Sequence, residues 1–455
     1  MKIVIVGAGK VGVALTRHLA VENRVTVIDQ NPHLVENIIN IYDVMGVCGN
    51  GASYDVQKEA DVEQADLLIA TTSSDEINIL TCLVAKKMGV QHTIARIRSP
   101  EYGRQLRFMR SELGLSMAIN PEAATAREIA RVLRFPTAMK LESFSKGRLE
   151  LVEYRVAEHT GLDGTRLSEL YRNFKVRVLI CAVARQGETI IPSGDFTLRA
   201  GDKIYLTAAP RELEKFFRLL GVFRARASSV MIVGASKMCY YLASELLEMG
   251  MSVKIIDQNE QRCVEMSEKL PRALVIVGDG TDSELLSEEG ISQTDAFVAI
   301  TGLDEANILM ALSAAKQSGD CCKVVAKINR KSLLELVSTE SLIDSVVSTG
   351  AVTTELILQY IRAMKNASAS KVKTLHRIVD EKVEALEFSV TPDISFAGVP
   401  LRDLKLKRGL LLAGIVRQNG QIVIPSGNDV LHLHDDVIVV TTDTQLEDLR
   451  DILAE

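Results

Sequence analysis

The 455-residue chain has nothing close to the roughly 18 uninterrupted apolar residues that a membrane-crossing helix needs. Its longest apolar runs, such as Val176 to Ala184, are strand-sized and contain Arg177. It has no C-x-x-C or other zinc-like spacing, and Cys321 and Cys322 are adjacent, too close for an ordinary bridge. Its 7 cysteines, an odd number, read as reduced core thiols. It has no basic run interleaved with aromatics, and Lys+Arg 53 against Asp+Glu 59 gives a formal charge of -6, which argues against nucleic acid as a partner. The N-terminus, Met1-Lys2-Ile3-Val4-Ile5-Val6-Gly7, has no long apolar leader and no small-residue cleavage site, so the chain is expected to stay in the cytoplasm.

What is present is a globular composition, 47% hydrophobic and 25% charged, which can bury cores and stay soluble. The length is too great for one core. The chain is also written twice. Ile3-Val4-Ile5-Val6-Gly7-Ala8-Gly9-Lys10 returns as Val230-Met231-Ile232-Val233-Gly234-Ala235-Ser236-Lys237, an offset of 234 − 7 = 227. Val27-Ile28-Asp29-Gln30-Asn31 returns as Ile255-Ile256-Asp257-Gln258-Asn259, Gly49-Asn50-Gly51 as Gly278-Asp279-Gly280, and Asp75-Glu76-Ile77-Asn78 as Asp304-Glu305-Ala306-Asn307. A second block recurs downstream of each first one: Gly187 to Gly194 matches Gly420 to Gly427, since 425 − 192 = 233 for the shared proline. The order is A-B-A-B.

In the A block, apolar runs at 3–6, 25–28, 67–70 and 93–97 alternate with helical stretches near 10–20, 32–40, 53–60 and 75–88. Short apolar runs between helices mean a parallel sheet covered on both faces. Leu115 to Ile119 reads as a sixth strand, and Pro121 opens a helix carrying Ile129, Val132 and Leu133 that ends at Pro136. Leu356, Ile357, Ile361 and Met364 fall in the matching helix; this apolar stripe is either domain core or a subunit contact. The B block alternates strands and tight turns, with Gln418-Asn419-Gly420 a hairpin signal and one short helix expected over Gly164 to Leu170 and over Gly398 to Leu404. The fold class is therefore α/β: two doubly wound parallel-sheet Rossmann domains, each followed by a small α+β domain, with limits at 1–140, 141–225, 229–368 and 369–455.

Gly7-x-Gly9-x-x-Gly12 follows a strand and opens a helix, the context that makes this motif informative. Gly7 permits the tight turn, Gly9 lets a pyrophosphate approach the backbone, and Gly12 lets helix and strand pack closely, so phosphates sit at the positive end of a helix. Ala8, Lys10 and Val11 complete the turn, and Lys10 either pairs with a terminal phosphate or is simply solvated. Asp29, with Gln30 beside it, ends the second strand, where a carboxylate can accept both ribose hydroxyls and would repel a 2′-phosphate; this selects NAD or adenine nucleotides over NADP. Gly49 and Asn50 follow the third strand, and Thr71, Thr72 and Glu76 the fourth, so they are assigned to base and ribose. Arg98 follows the fifth strand and either neutralises phosphate or forms a structural ion pair. In the second copy Gly234 is kept, but Ser236 would crowd the pyrophosphate and Cys239 would loosen helix packing, while Asp257, Gly278, Asp279, Thr301, Asp304 and Asn307 survive. That site binds more weakly, prefers a different nucleotide, or stands empty. His432-x-His434 lies where the first copy has the turn Arg199-Ala200-Gly201, which favours a solvated turn over a metal site.

With its A-B-A-B order, Gly7-Ala8-Gly9-Lys10-Val11-Gly12, Asp29, Thr71-Thr72-Ser73-Ser74-Asp75-Glu76 and the Ile191-Pro192-Ser193-Gly194 turn, the chain resembles the TrkA subunits of bacterial Trk potassium-uptake systems over essentially its whole length. Those subunits carry two RCK units, each a nucleotide-binding Rossmann domain followed by a small C-terminal domain. The resemblance implies a non-catalytic, nucleotide-sensing regulator, homo-oligomeric as a tetramer, peripheral on the inner face of the plasma membrane beneath a TrkH-like integral potassium channel or transporter subunit. It also implies binding of NAD(H) and of ATP or ADP; the cysteine and histidine spacings by themselves point to no metal site. The rival from another class is an NAD-dependent dehydrogenase, which shares the fingerprint but needs a proton-transfer group beside the nicotinamide. His18 and His33 fall on helices, His92 begins a strand, and His159 lies in the B block without an obvious carboxylate to orient it. A DNA regulator is weaker still, for want of a helix-turn-helix and a basic face.

Overall fold

The computed structural model describes every residue except 103–112, 136, 159, 224–226, 319–321, 338–342, 367–371, 380–381, 444–445, 447 and 455. Pro136, His159 and Cys321 therefore lie outside the described residues, as do the expected domain limits at 225 and 368/369.

The first sheet contains β1 (Lys2–Val6), β2 (Arg24–Asp29), β3 (Met45–Cys48), β4 (Leu67–Ala70), β5 (His92–Arg96) and β6 (Met117–Ile119), interleaved with helices α1 (Lys10–Leu19), α2 (Pro32–Tyr42), α3 (Tyr54–Glu59), α4 (Asp75–Lys87) and α5 (Pro121–Arg134). Its order, β3-β2-β1-β4-β5-β6, is that of a doubly wound Rossmann sheet, with its strands parallel. The burial explains the near-continuous apolar strands: Ile3, Val4, Ile5 and Val6 are all at most 3% exposed, because helices cover both faces. Local signals set the helix ends. Asn31 caps α2 through its side chain, with Pro32 at the first helical position, and Asp43 closes it in the left-handed region at φ 50.

The second sheet is antiparallel, ordered β10-β9-β11-β8-β7, from β7 (Lys140–Phe144), β8 (Leu149–Arg155), β9 (Leu179–Arg185), β10 (Glu188–Ile190) and β11 (Lys203–Ala208). It carries α6 (Leu170–Phe174) and the amphipathic α7 (Pro210–Leu219), which buries Leu213, Phe216 and Phe217. The third sheet repeats the first as β14-β13-β12-β15-β16-β17, from β12 (Ser229–Val233), β13 (Ser252–Asp257), β14 (Leu274–Val277), β15 (Ala296–Ala299), β16 (Lys323–Lys327) and β17 (Ser345–Val347). Its helices are α8 (Lys237–Glu248), α9 (Glu260–Lys269), α10 (Ser283–Glu288), α11 (Asp304–Ser318), α12 (Lys331–Val337) and α13 (Thr349–Asn366). The fourth sheet repeats the second as β18-β19-β22-β20-β21, from β18 (Val372–Ile378), β19 (Val383–Ser389), β20 (Leu410–Val416), β21 (Ile422–Val423) and β22 (Asp436–Thr441).

The repeats do not stay in sequence order in space. One compact unit comprises Met1–Ala130 and Ser228–Leu356, the other Arg131–Ala227 and Ile357–Glu455, so like gathers with like. The hairpin at Gln418-Asn419-Gly420 forms, with Gly420 at φ 84 and Arg417 donating to Gln421 across the turn. The expected short helices are shifted. The first starts at Leu167 as a 3-10 turn and runs on to Phe174 rather than filling Gly164 to Leu170, while the second is reduced to the 3-10 turn Leu401–Asp403. At the start of each segment, Gly164 and Gly398 take left-handed backbone and turn the chain instead of winding it. The α5 stripe is covered within this chain, since Ile129, Val132 and Leu133 are at most 1% exposed; Ile357 and Ile361 are buried as well. Five of the six described cysteines are buried; Cys48, at the end of β3, is exposed. Burial pushes the Cys82, Cys181 and Cys239 thiols up, which keeps them protonated and inert. Among the described residues, no helix is long and apolar enough to cross a membrane.

Candidate functional site

β1 ends at Val6, and the chain reverses at Gly7, φ +104, before α1 begins at Lys10. Two of the three motif glycines are required by the protein's own packing. A Cβ on Gly7 would lie 2.9 Å from backbone atoms of Thr71 and Thr72, and one on Gly12 would lie 1.8 Å from the Gly7 carbonyl oxygen. Gly9 differs: its φ of -74 and ψ of -173 suit any residue, and a Cβ there meets nothing within 4 Å. The space in front of Gly9 is open, and among the described residues no side chain caps the N-terminus of α1. Helix-start N–H groups facing open space form an anion-binding concavity.

Asp29 closes one side of this cradle. Its Oδ2 accepts the Ala8 N–H at 2.6 Å and its Oδ1 accepts the Asn31 N–H at 2.8 Å, so the carboxylate fixes the glycine turn and the start of α2 together. The second copy reproduces this arrangement: Asp257 accepts from Ala235 at 2.7 Å and from Asn259 at 2.8 Å, and Gly234 turns at φ +112. The cradle itself differs. Where Gly9 leaves space, the Ser236 hydroxyl accepts the Cys239 N–H at 3.4 Å and caps α8. The protein's own oxygen thus occupies the place where an anion would satisfy the helix start. Cys239, fully buried, stands where the first copy needs Gly12, so the start of α8 leaves room that α1 does not.

The remaining expected residues divide by what their side chains already do. Ala8 and Val11 are buried, leaving only main-chain atoms for a ligand. Lys10, Gln30 and Asn50 are exposed, Gly49 is half-buried, and Asn50 Oδ1 accepts the Ala52 N–H at 3.0 Å. Thr71 is buried and buckles β4 to the turn, its hydroxyl donating to the Val6 carbonyl at 3.2 Å. Thr72 donates its hydroxyl to Asn78 Oδ1 at 2.7 Å. Glu76, exposed in the first turn of α4, accepts from the Ser74 and Tyr102 hydroxyls, which hold its carboxyl down to about 2. Arg98 makes an ion pair: its Nε lies 3.5 Å from Asp75 Oδ1 and its guanidinium also donates to the Ser73 carbonyl. In the second copy Asp279 accepts from the Thr281 N–H and hydroxyl, which lower its carboxyl, and Gly278 precedes it. The Thr301 N–H donates to Asn307 Oδ1 at 2.9 Å. His432 and His434 sit at a turn, with His434 at φ 67 and Arg417 contacting His432.

Asn78, Asn120 and Tyr241 are supporting residues that the sequence does not single out as site residues; Asn307, the repeat equivalent of Asn78, is among those that survive in the second copy. Asn78, fully buried, accepts from Thr72 and donates to the Thr72 and Arg96 carbonyls, locking the loop after β4 to the end of β5; Asn307 does the same in the second copy. Their matching positions in the repeat were the available signal. Asn120 donates to the Tyr241 hydroxyl at 2.8 Å, and that hydroxyl donates to the Arg98 carbonyl at 3.0 Å, joining the two Rossmann copies. No motif within either copy announces that bond. Asn78→Leu is expected to cost about 2–4 kcal/mol, because buried donors and acceptors are left unmet. Thermal unfolding of the full chain checks this, and an unchanged melting temperature would contradict it.

Two doubly wound domains, each trailed by an antiparallel sheet, make a tandem of paired N-type and C-type domains. Residues 3–121 and 230–349 match the TrkA-N domain, and residues 151–221 and 385–454 the TrkA-C domain. The chain is 31% identical over 453 residues to a Trk system potassium uptake protein TrkA homolog of Archaeoglobus fulgidus, covering 99% of this chain and 100% of that one. It is 32% identical over 448 residues to the Trk system potassium uptake protein TrkA of Vibrio alginolyticus, covering 97% and 94%. Among solved structures it is similar in fold to the GsuK channel, with a TM-score of 0.63 at 21% identity over 98% of this chain and 77% of that one. A GsuK channel bound to NAD gives 0.62 at 20% over the same shares. The chain belongs to the TrkA family of Trk-system potassium uptake proteins.

Proposed function

We propose that this chain is the nucleotide-sensing regulatory subunit of a potassium-uptake system, and that its first Rossmann copy holds NAD(H) to set a conformation rather than to transfer hydride. The observation that carries the reading is the open cradle at Gly9, with an uncapped helix start behind it and Asp29 beside it. The pyrophosphate would lie against Gly7, Gly9 and the N–H groups of Lys10, Val11 and Gly12. Asp29 has lone pairs left over for the adenosine ribose, and its charge disfavours a 2′-phosphate. Gly49, Asn50, Thr72 and Glu76 border the base and ribose, with Lys10 beside the phosphates, while Thr71, Asp75 and Arg98 shape the loop. ATP or ADP, with adenosine and phosphates in the same places, would fit the same cradle.

The second copy, whose helix start is already met by Ser236, binds nucleotide more weakly; Gly234, Asp257, Gly278, Asp279 and Thr301 would border that site. The domain limits we assign are 1–140, 141–225, 229–368 and 369–455, and the partner is an integral membrane potassium channel or transporter subunit of the TrkH kind. Relatives at about 31% identity that bear the Trk potassium-uptake name support this, as does likeness in fold to a channel bound to NAD. We place the chain at the inner membrane face as a homo-tetramer. A regulator works only if nucleotide binds two conformations with different affinity. Coupling of roughly 1–3 kcal/mol per site, summed over four equivalent sites, gives about 4–12 kcal/mol, enough to open or close a pore.

Reconstituting the chain with its membrane subunit in liposomes tests the reading. Potassium flux should change on adding NADH or NAD, while NADH absorbance stays constant. Steady oxidation of NADH with a small-molecule acceptor would instead make the chain a dehydrogenase, and flux indifferent to every nucleotide would remove the sensor role.

A further inference from the structure

In the unit formed by the two small domains, the second and fourth sheets share one apolar core, in which Phe144, Leu149, Leu151 and Tyr205 meet Ile378, Val383, Ala385 and Val440. Across that core, Glu142 on β7 meets His376 on β18, with His376 Nδ1 2.9 Å from Glu142 Oε2. Both side chains are buried, at 7% and 8% exposure. The two positions are one position of the repeat, since 376 − 142 = 234, and the strand registers agree: Glu142 pairs with Leu151 as His376 pairs with Ala385, and 385 − 151 = 234. A residue that meets its own repeat equivalent lies on the local two-fold axis relating the copies. There the two copies carry different groups that complement one another.

A second polar contact follows the same logic. Glu387 on β19, 3% exposed, accepts the Ser145 N–H at 3.2 Å and the Ser145 hydroxyl at 2.7 Å. The repeat equivalent of Ser145 is Val379, since 379 − 145 = 234, and valine has no hydroxyl to offer. Were two first-copy small domains to pair through this face, Glu142 would be buried against Glu142. Were two second-copy domains to pair, His376 would face His376 and Glu387 would lose its hydroxyl donor. Each like-with-like arrangement sets like groups against each other or strips a buried carboxylate of a donor, which is costly inside a protein.

We propose that Glu142–His376 and Ser145–Glu387 are the specificity contacts of this face, making it accept only the unlike small domain and so directing the two halves of the chain to each other. This does not rest on the nucleotide reading. Lys140, 2.8 Å from Glu142, adds to the preference for a carboxylate at position 142.

Charge swaps in the full chain, read by thermal unfolding at neutral pH, test it. H376E sets glutamate against glutamate, as first-with-first pairing would, and E142H sets histidine against histidine, as second-with-second pairing would. Each should lower the melting temperature by several degrees. The swap E142H/H376E should recover part of that loss despite the new histidine beside Lys140. Should either single variant fail to fold, the milder set E142Q, H376Q and E142Q/H376Q gives the same information, with a coupling of about tenfold in the unfolding equilibrium expected between the two sites. Single variants as stable as wild type, a swap no better than the sum of its parts, or strictly additive glutamine variants would overturn the proposal.

Discussion

Gly9→Ser is expected to make the chain slightly more stable and, at the same time, to weaken its hold on NADH about a hundredfold. The substitution copies into the first Rossmann copy what the second already has. The backbone at Gly9, φ -74, accepts serine without strain, and a Cβ meets nothing within 4 Å, so the fold has no reason to resist. As at Ser236, where the hydroxyl accepts the Cys239 N–H, the new hydroxyl would cap α1. Relative to a glycine at the same position, a serine cap is worth roughly a few tenths of a kcal/mol to a helix. The same hydroxyl takes a helix-start N–H from the pyrophosphate and holds the ligand off the backbone. Hydrogen bonds to charged groups contribute about 1.5–3 kcal/mol, and about 2.7 kcal/mol corresponds to a hundredfold in affinity. Calorimetric titration and thermal unfolding of the same preparation read both effects. A variant that binds NADH as tightly as wild type would place the pyrophosphate elsewhere.

Gly12→Ala should have the opposite character, a large loss of stability that removes binding as a consequence. An alanine Cβ would lie 1.8 Å from the Gly7 carbonyl oxygen, and neither atom belongs to a flexible side chain that could swing aside. α1 would have to lift from β1, disturbing the Gly7 turn, the Thr71 hydroxyl at Val6 and the Asp29 bond to Ala8. Clashes of this kind fall in the tail of point-mutation effects, about 3–5 kcal/mol. Loss of the lowest-melting transition in a thermal scan of the full chain would register it, and a melting temperature within a degree of wild type would contradict the packing described here.

How much of this was legible in the sequence follows from what each signal reports. The parallel sheets could be read because buried strands are apolar on both faces, and the glycine turn because only its spacing meets strand, turn and helix in register. Repetition exposed the A-B-A-B order and the degraded second motif. From residue type alone Ser236 crowds a ligand; that its hydroxyl also caps α8 depends on a side-chain rotamer, which residue types do not specify. The Arg98–Asp75 ion pair is not legible in the sequence, because the two are separated by 23 residues and meet only when β4 and β5 align. The gathering of like repeats into two units, and the Tyr241 hydroxyl reaching Arg98, were not legible at all: periodicity tells which face is covered and says nothing of what covers it.

The most direct test of the central claim, that a dinucleotide rests on the first glycine turn while the protein's own serine occupies the second, is the number of NADH molecules the full chain binds. Calorimetric titration of wild type should give one tight site per chain, with any second event much weaker. Two equal sites per chain, or no heat of binding at all, would contradict it.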